Sequence, residues 1–258
     1  MLTLRADLHV HTVLSPCAGI EMIPPLIVEE AIQRGIRLIA ITDHNATANI
    51  RAVQKAAAAA SASGGTELIV LPGMELQTRE EVHVLCLFDE TEQAEALQAW
   101  VDARLPDMPN NVDFFGEQFV VDETGEFICR DERLLSTSVE VSLREAWQQV
   151  NGLGGLFIPA HVNRTANGLL ALLGFVPDDF PVEALEISRH LTAEEAVKKF
   201  PQIKGYPLIQ DGDVHYLDGF MGTTEWQVEK VTIEELTKAI RGEEGKGYRI
   251  LPLSVPGA

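Results

Sequence analysis

Six of the seven histidines in this 258-residue chain sit at the ends of short apolar runs or within them. The segments are Asp7-Leu8-His9-Val10-His11, Thr42-Asp43-His44-Asn45, Gly73-Met74-Glu75-Leu76, Glu81-Val82-His83-Val84, Pro159-Ala160-His161-Val162-Asn163-Arg164 and Asp211-Gly212-Asp213-Val214-His215. In a strand, residues i and i+2 leave the same face, so His9 and His11 can bind one cation, and Asp213 and His215 have the same spacing. Glu75 adds a carboxylate whose two oxygens can bridge neighbouring cations, and neutral imidazole suits Zn, Mn or Fe. A lone His-x-His is equally compatible with a buried pair bonded to backbone. Six histidines gathered with Glu75 and Asp213 favour a metal site, because perturbed ionisable groups concentrate at functional sites.

The elements that must bring these residues together alternate along the chain. Strands are expected at Asp7 to Val10, Leu38 to Thr42, Leu68 to Leu71, Val82 to Phe88, Leu156 to Pro159, Ala184 to Ser188, Pro207 to Gln210, Trp226 to Val231 and Tyr248 to Leu253. Helices are expected at Pro24 to Gln33, Ala48 to Ala60, Thr91 to Arg104, Ser142 to Val150, Leu169 to Leu173, Thr192 to Phe200 and Ile233 to Arg241. Alternating β and α units predict a parallel α/β architecture, open or closed into a barrel, in which the carboxyl ends of the strands converge on one rim. The pattern breaks between Leu105 and Ser138, where Pro106, Pro109, Asn110-Asn111 and an acidic hairpin-like stretch suggest an insertion with a two-stranded ribbon. At that length, with Phe114-Phe115 and Phe127-Ile128 as apolar surface, the insertion is expected either to cover the rim or to be an oligomer contact or a mobile surface ribbon.

Composition limits the partners. The chain is long enough for one large domain, and residues 1–258 are read as a single unit. Acidic residues number 39 and basic ones 20, a formal charge of −19. Such a chain lacks the clustered Lys/Arg that long nucleic acid or an anionic membrane requires. No apolar run approaches the roughly 18 residues of a spanning helix, and the N-terminus has no apolar signal region. Three cysteines, Cys17, Cys86 and Cys129, without C-x-x-C spacing fit a reducing compartment. A cytoplasmic location is therefore expected. No G-x-S-x-G, P-loop or G-x-G-x-x-G motif supports a serine hydrolase, an NTPase or a dinucleotide enzyme.

Taken together, the motifs ADLHVHT, ITDHN, PGMEL, EVHVL, IPAHVNR, LEISR and QDGDVH resemble those of the PHP (polymerase and histidinol phosphatase) family of metal-dependent phosphoesterases. The resemblance runs from Asp7 to about His215. It implies a distorted seven-stranded (β/α) barrel, TIM-like, with two or three divalent ions at the C-terminal rim of its strands. By that resemblance one ion takes His9, His11, Glu75 and Asp213, a second shares Glu75 and adds His83 and His161, and a third takes His44, His215 and Cys17. Cys17 departs from the family, which usually has aspartate or histidine there; a thiolate would shift preference from Mn or Mg toward Zn or Fe. The competing reading makes Cys17 a small buried residue. Asp43 is expected to orient a ligand, Asp7 to be structural, and Asp211 to bind metal or shape a turn.

Cations near this rim are scarce. Arg164 is placed to fork onto phosphate oxygens, with Arg189 and His190 as further candidates for substrate contact; each could instead pair with an acidic neighbour. Clustered divalent ions lower the pKa of a bound water toward ~7 and stabilise charge on an attacked phosphoryl group. The expected reaction is hydrolysis of a phosphomonoester of a small molecule or nucleotide. The alternatives are cleavage of short nucleic acid and a catalytically silent regulatory module.

Overall fold

The computed structural model describes residues 1–178 and 181–252. Among the described residues, eleven strands and eight α-helices follow in chain order. The first half comprises β1 (Leu2–Val10), α1 (Pro24–Gln33), β2 (Leu38–Ile41), α2 (Ile50–Ala62), β3 (Ile69–Gln77), β4 (His83–Leu87), α3 (Thr91–Asp102), α4 (Val112–Phe115), β5 (Phe119–Val121) and β6 (Phe127–Arg130). The second comprises α5 (Leu143–Gly152), β7 (Leu156–Pro159), α6 (Leu169–Leu173), β8 (Leu185–Ile187), α7 (Ala193–Lys199), β9 (Leu208–Gln210), β10 (Thr224–Val228), α8 (Ile233–Arg241) and β11 (Gly247–Ile250). The expected elements all occur, most with ends shifted by a residue or two. The last expected strand is shorter, and its Leu253 lies outside the described residues.

A curled seven-stranded sheet runs in the order β11-β10-β1-β2-β3-β4-β7, and β8 pairs with β9 in a separate parallel pair. The barrel expectation is therefore met only in part. Single contacts cross the gaps where a closed barrel would have ladders: Val162 N donates to Glu186 O, and Val10 bridges Val214. The sheet is also mixed. β1, β2 and β3 are parallel, whereas β4 runs antiparallel to both β3 and β7, and β10 runs antiparallel to β1 and β11. This reversal corrects the wholly parallel arrangement inferred from alternation, and it has a use at the site described below.

Alternate residues of the central strands enter two cores. Ile39, Ile41, Val84 and Cys86 pack with helix residues such as Ile27, Val53, Leu97 and Val150, while Leu38, Ala40, Leu85 and Leu87 pack with Trp226, Leu236 and Ile240. Strands buried on both faces must be apolar throughout, which is why these segments read as continuous hydrophobic runs. Helix α8 closes one end, where Ile233 N donates to Asp89 Oδ1 at 2.7 Å just past the end of β4. Its strong amphipathic pattern ends at Gly242, which takes the left-handed φ of 67° that a helix C-terminus favours in glycine. The opposite rim is left for chemistry.

Residues 105–138 do not form a lid. Of them, only Ser136 lines the cavity on the rim. The β5–β6 ribbon lies against α1 and α2: Gly125 packs on Ile23, and Lys55 Nζ stands 3.6 Å from Glu123. Phe114, Phe127 and Ile128 are exposed. The segment braces the rim from outside, since Asn45 Nδ2 donates to the carbonyls of Leu135 and Thr137 and Asn49 Nδ2 to that of Phe119.

Candidate metal centre

Glu75 is the hub of the rim. It lies near the end of β3, and the register sets it opposite Leu85 and Gln77 opposite His83, so Glu75 and His83 are diagonal neighbours on one face. Because β4 is antiparallel, His83 reaches this rim from the first residue of its strand rather than the last. His83 Nδ1 is 2.8 Å from Glu75 Oε1, His161 Nε2 is 3.0 Å from the same oxygen, and His9 Nε2 is 3.2 Å away. On the other oxygen, His44 Nδ1 stands at 2.8 Å and His11 Nε2 at 3.4 Å. Asp213 Oδ1 lies 3.4 Å from His9 Nε2, 3.5 Å from His11 Nε2 and 3.3 Å from His215 Nδ1. All nine residues expected as ligands thus surround one rim, since Cys17 Sγ is 3.3 Å from His44 Nε2. Cys17 lines the cavity with its sulfur only partly covered, which removes the reading of it as a small core residue.

The donor atoms are in an arrangement that hydrogen bonding does not satisfy. His9 Nε2, His11 Nε2, His44 Nδ1, Glu75 Oε2, His83 Nε2, His161 Nδ1 and Asp213 Oδ1 are buried without a hydrogen-bond partner. Burying such atoms unpaired costs about 1–3 kcal/mol each. Groups of donors lie close enough to share a cation: His9, His11 and Asp213; His44, Glu75 and His83; and His11, His44 and His215. The residues present fit divalent ions of the kind that imidazole and carboxylate bind.

Their electrostatics agree. Burial pushes the Glu75 carboxyl up, but the imidazoles of His83, His9 and His44 outweigh it and hold it well below the usual range. Burial lowers His9, yet Glu186, Glu75 and Asp213 hold it well above the ordinary value. His83 is brought down to about 4 by burial. Burial raises the Cys17 thiol, but hydrogen bonds with His215 and His44 bring it to about 6.

A supporting layer fixes these rings. Glu186 Oε1 lies 3.0 Å from His9 Nδ1, and its Oε2 accepts from His161 N at 2.6 Å. Glu186 was visible within the LEISR motif, but nothing in a single sequence distinguishes it from an ordinary strand glutamate. Ser15 Oγ is 2.9 Å from His11 Nδ1 and donates to Asp43 Oδ1 at 2.7 Å, so Asp43 acts on His11 through Ser15. Asp43 also accepts from Thr12 N and Thr12 Oγ1. Asp7 accepts from the backbone N–H groups of Gly212, Met221 and Gly222, a structural role. Asp211 accepts from Leu8 N and likewise ties β1 to the 211–215 loop. His161 and Asp213 adopt φ of 28° and 48°, and Asn45 beside His44 adopts 50°. Non-glycine residues in this region cost of order 1–3 kcal/mol and cluster where surrounding structure holds a functional geometry.

The rim opens into a cavity of about 580 Å³. Arg164, Arg189 and His190 line it. Arg164 Nη1 donates to Asp213 Oδ2. Its acidic partner is therefore itself a candidate ligand. Arg79, whose N donates to Val141 O, does not line the cavity.

Known proteins share this fold. The family model of the PHP domain matches residues 7–124. An uncharacterized Bacillus subtilis (strain 168) protein, YqxK, is 22% identical over 273 residues, covering 95% of this chain and 64% of the relative. The novel lesion-specific endonuclease PfuEndoQ from Pyrococcus furiosus superimposes with a TM-score of 0.65 at 19% identity, over 96% of this chain and 58% of that one. Endonuclease Q in complex with a 27-mer duplex bearing an abasic lesion gives 0.68 at 19% identity, over 95% and 58%. A two-domain Bacteroides vulgatus protein with a predicted PHP-like metal-dependent phosphoesterase gives 0.52 at 14% identity, over 97% and 65%. The chain thus spans less than two thirds of the length of these relatives. The segment that matches the PHP domain carries His9, His11, His44, Glu75 and His83.

Proposed function

We propose that the chain is a metal-dependent phosphoesterase whose two or three divalent ions, of the Zn, Mn or Fe type, are held by His9, His11, Cys17, His44, Glu75, His83, His161, Asp213 and His215. The observation that carries this reading is the ring of buried, unpartnered donor atoms around Glu75. Bound ions would supply an acidified water and neutralise phosphoryl charge. The chain's own residues do the rest. Glu186 and Ser15 hold His9 and His11 in the tautomers that present Nε2 to the ring. Arg164, hinged over Asp213, is placed to exchange that carboxylate for two phosphate oxygens, and Arg189 and His190 line the wall where a leaving group would depart.

The leading substrate is a phosphomonoester of a small molecule or nucleotide. The fold likeness to Endonuclease Q favours a second reading, cleavage of short nucleic acid, and the charge of −19 weighs against long duplexes. A panel of phosphomonoesters, short single strands and an abasic duplex, assayed after reconstitution with Mn, Fe and Zn, tests both. Metal-dependent release of phosphate from a monoester is expected. Turnover confined to the oligonucleotides would favour the nuclease, and none on any substrate would contradict both.

A further inference from the structure

His83 comes to the metal ring from the very start of a strand, where a ladder is weakest. The tight turn before it is closed by bonds from Thr78 N to Val82 O and from Glu81 N to Thr78 O, both 2.9 Å. With Gln77 set opposite His83 and Thr78 N bonded to Val82 O, the N–H and C=O of His83 itself point away from β3, toward β7. There Ala160 N donates to His83 O at 2.9 Å, the last bond of that ladder. In a regular pair the Ala160 carbonyl would answer the His83 N–H. The chain instead turns out of the ladder at His161, with φ 28°.

Asn167 supplies what the ladder lacks. His83 N donates to Asn167 O at 3.0 Å, and Asn167 Nδ2 donates to Glu81 O at 3.1 Å. Asn167 and Glu81 take left-handed φ of 58° and 63°, a region that asparagine enters more readily than most residues with a side chain. Two bonds therefore fasten the loop of residues 161–168 to the start of β4. The loop is itself compact: Arg164 N donates to His161 O at 2.9 Å, and a Cβ on Gly168 would clash with the Arg164 backbone. His161 and His83 both meet Glu75 Oε1, at 3.0 and 2.8 Å, with their rings 5.3 Å apart. Each ring keeps one buried nitrogen without a partner. Beyond Ala160 no ladder sets the spacing of these two imidazoles, and the bonds of Asn167 do.

We propose that Asn167 is a positioning residue of the metal centre. By tying the His161 loop to the first residue of β4, it fixes the distance between the two imidazoles that share one oxygen of Glu75, and with it the affinity of the ion they hold. It acts through the main chain of His83 and Glu81 and is not a ligand. The proposal rests on the metal reading of the ring.

Two variants separate the side chain from the backbone. Asn167→Gly accepts φ 58° and keeps the carbonyl that meets His83, but has no Nδ2; Asn167→Asp keeps the size and sets a carboxylate oxygen against Glu81 O. Metal-free protein is titrated with Zn²⁺ against a competing chelator, and exchange of the His83 amide is followed by NMR without metal. In both variants one ion should bind about 10–100-fold more weakly while the remaining affinity stays within about twofold of the parent. The melting temperature of metal-free protein should stay close to parental, and the His83 amide should exchange roughly tenfold faster. Parental affinity for every ion in both variants would overturn the proposal, as would an equal loss at every ion, which marks general destabilisation. An unchanged His83 amide would overturn it too. Fewer than one ion per chain in the parent would overturn the metal reading itself, and this role with it, whereas a loaded parent with indifferent variants removes only the role of Asn167.

Discussion

Glu75 touches five imidazoles, so no other side chain in the ring has as many partners to lose. Glu75→Gln should remove at least one ion per chain, read by elemental analysis. Glu186→Gln leaves every ligand in place but loosens His9 and the 161 loop, and should weaken metal affinity about 10–100-fold. Protons compete with the ions. His9 and His44 are held well above their ordinary values by neighbouring carboxylates, and in His44 also by Cys17, against the opposing effect of burial. A raised value means the ring already carries its proton at pH above the ordinary value, so metal affinity should fall as pH is lowered toward neutrality; a flat profile would contradict these roles. Cys17, brought to about 6, should be alkylated by iodoacetamide at pH 7 far faster than Cys86, which burial pushes up, and bound metal should protect it. Cys17→Asp should keep the site while favouring Mn over Zn. Arg164→Ala should remain fully metallated yet lose about 2–4 kcal/mol of transition-state stabilisation, tens- to several-hundred-fold in kcat/KM. Parental rates on every substrate would show that Arg164 does not hold phosphate.

At the scale of elements, what was legible follows from what spacing encodes. His9-x-His11 and Asp213-x-His215 announced themselves because a strand fixes i and i+2 on one face, and Glu75 because it ends an apolar run. The direction of β4 was not legible. Its run of apolar residues reads the same in either orientation, and only the pairing of Gln77 with His83 reveals that the strand turns back. The placement of residues 105–138 was equally hidden, since a ribbon between two helices can fold toward the rim or away from it. The structure makes its function bracing. Asn45, at φ 50°, donates to Leu135 O and Thr137 O and accepts from Gln77 N. Asn45→Ala loses these bonds and places alanine in a left-handed conformation, which should cost about 3 kcal/mol in denaturant unfolding. Replacing Asn110 to Glu132 with a short Gly-Ser linker should lower the melting temperature and leave substrate preference intact; a changed preference with parental stability would restore the cover.

For the whole molecule, an acidic chain draws together a ring of donors whose arrangement fits cations. Folding and metal binding must therefore be linked: with free metal at a hundredfold above its Kd, each site should add about 2.7 kcal/mol of stability, lost on chelation. No helix among the described residues is long and apolar enough to cross a membrane. The central claim is that the rim holds a cluster of ions, and its most direct measurement is the elemental content of purified chain after reconstitution with Mn, Fe and Zn. The account predicts two or more ions per chain in the parent and fewer in Glu75→Gln. Less than one ion per chain in the folded parent would contradict it.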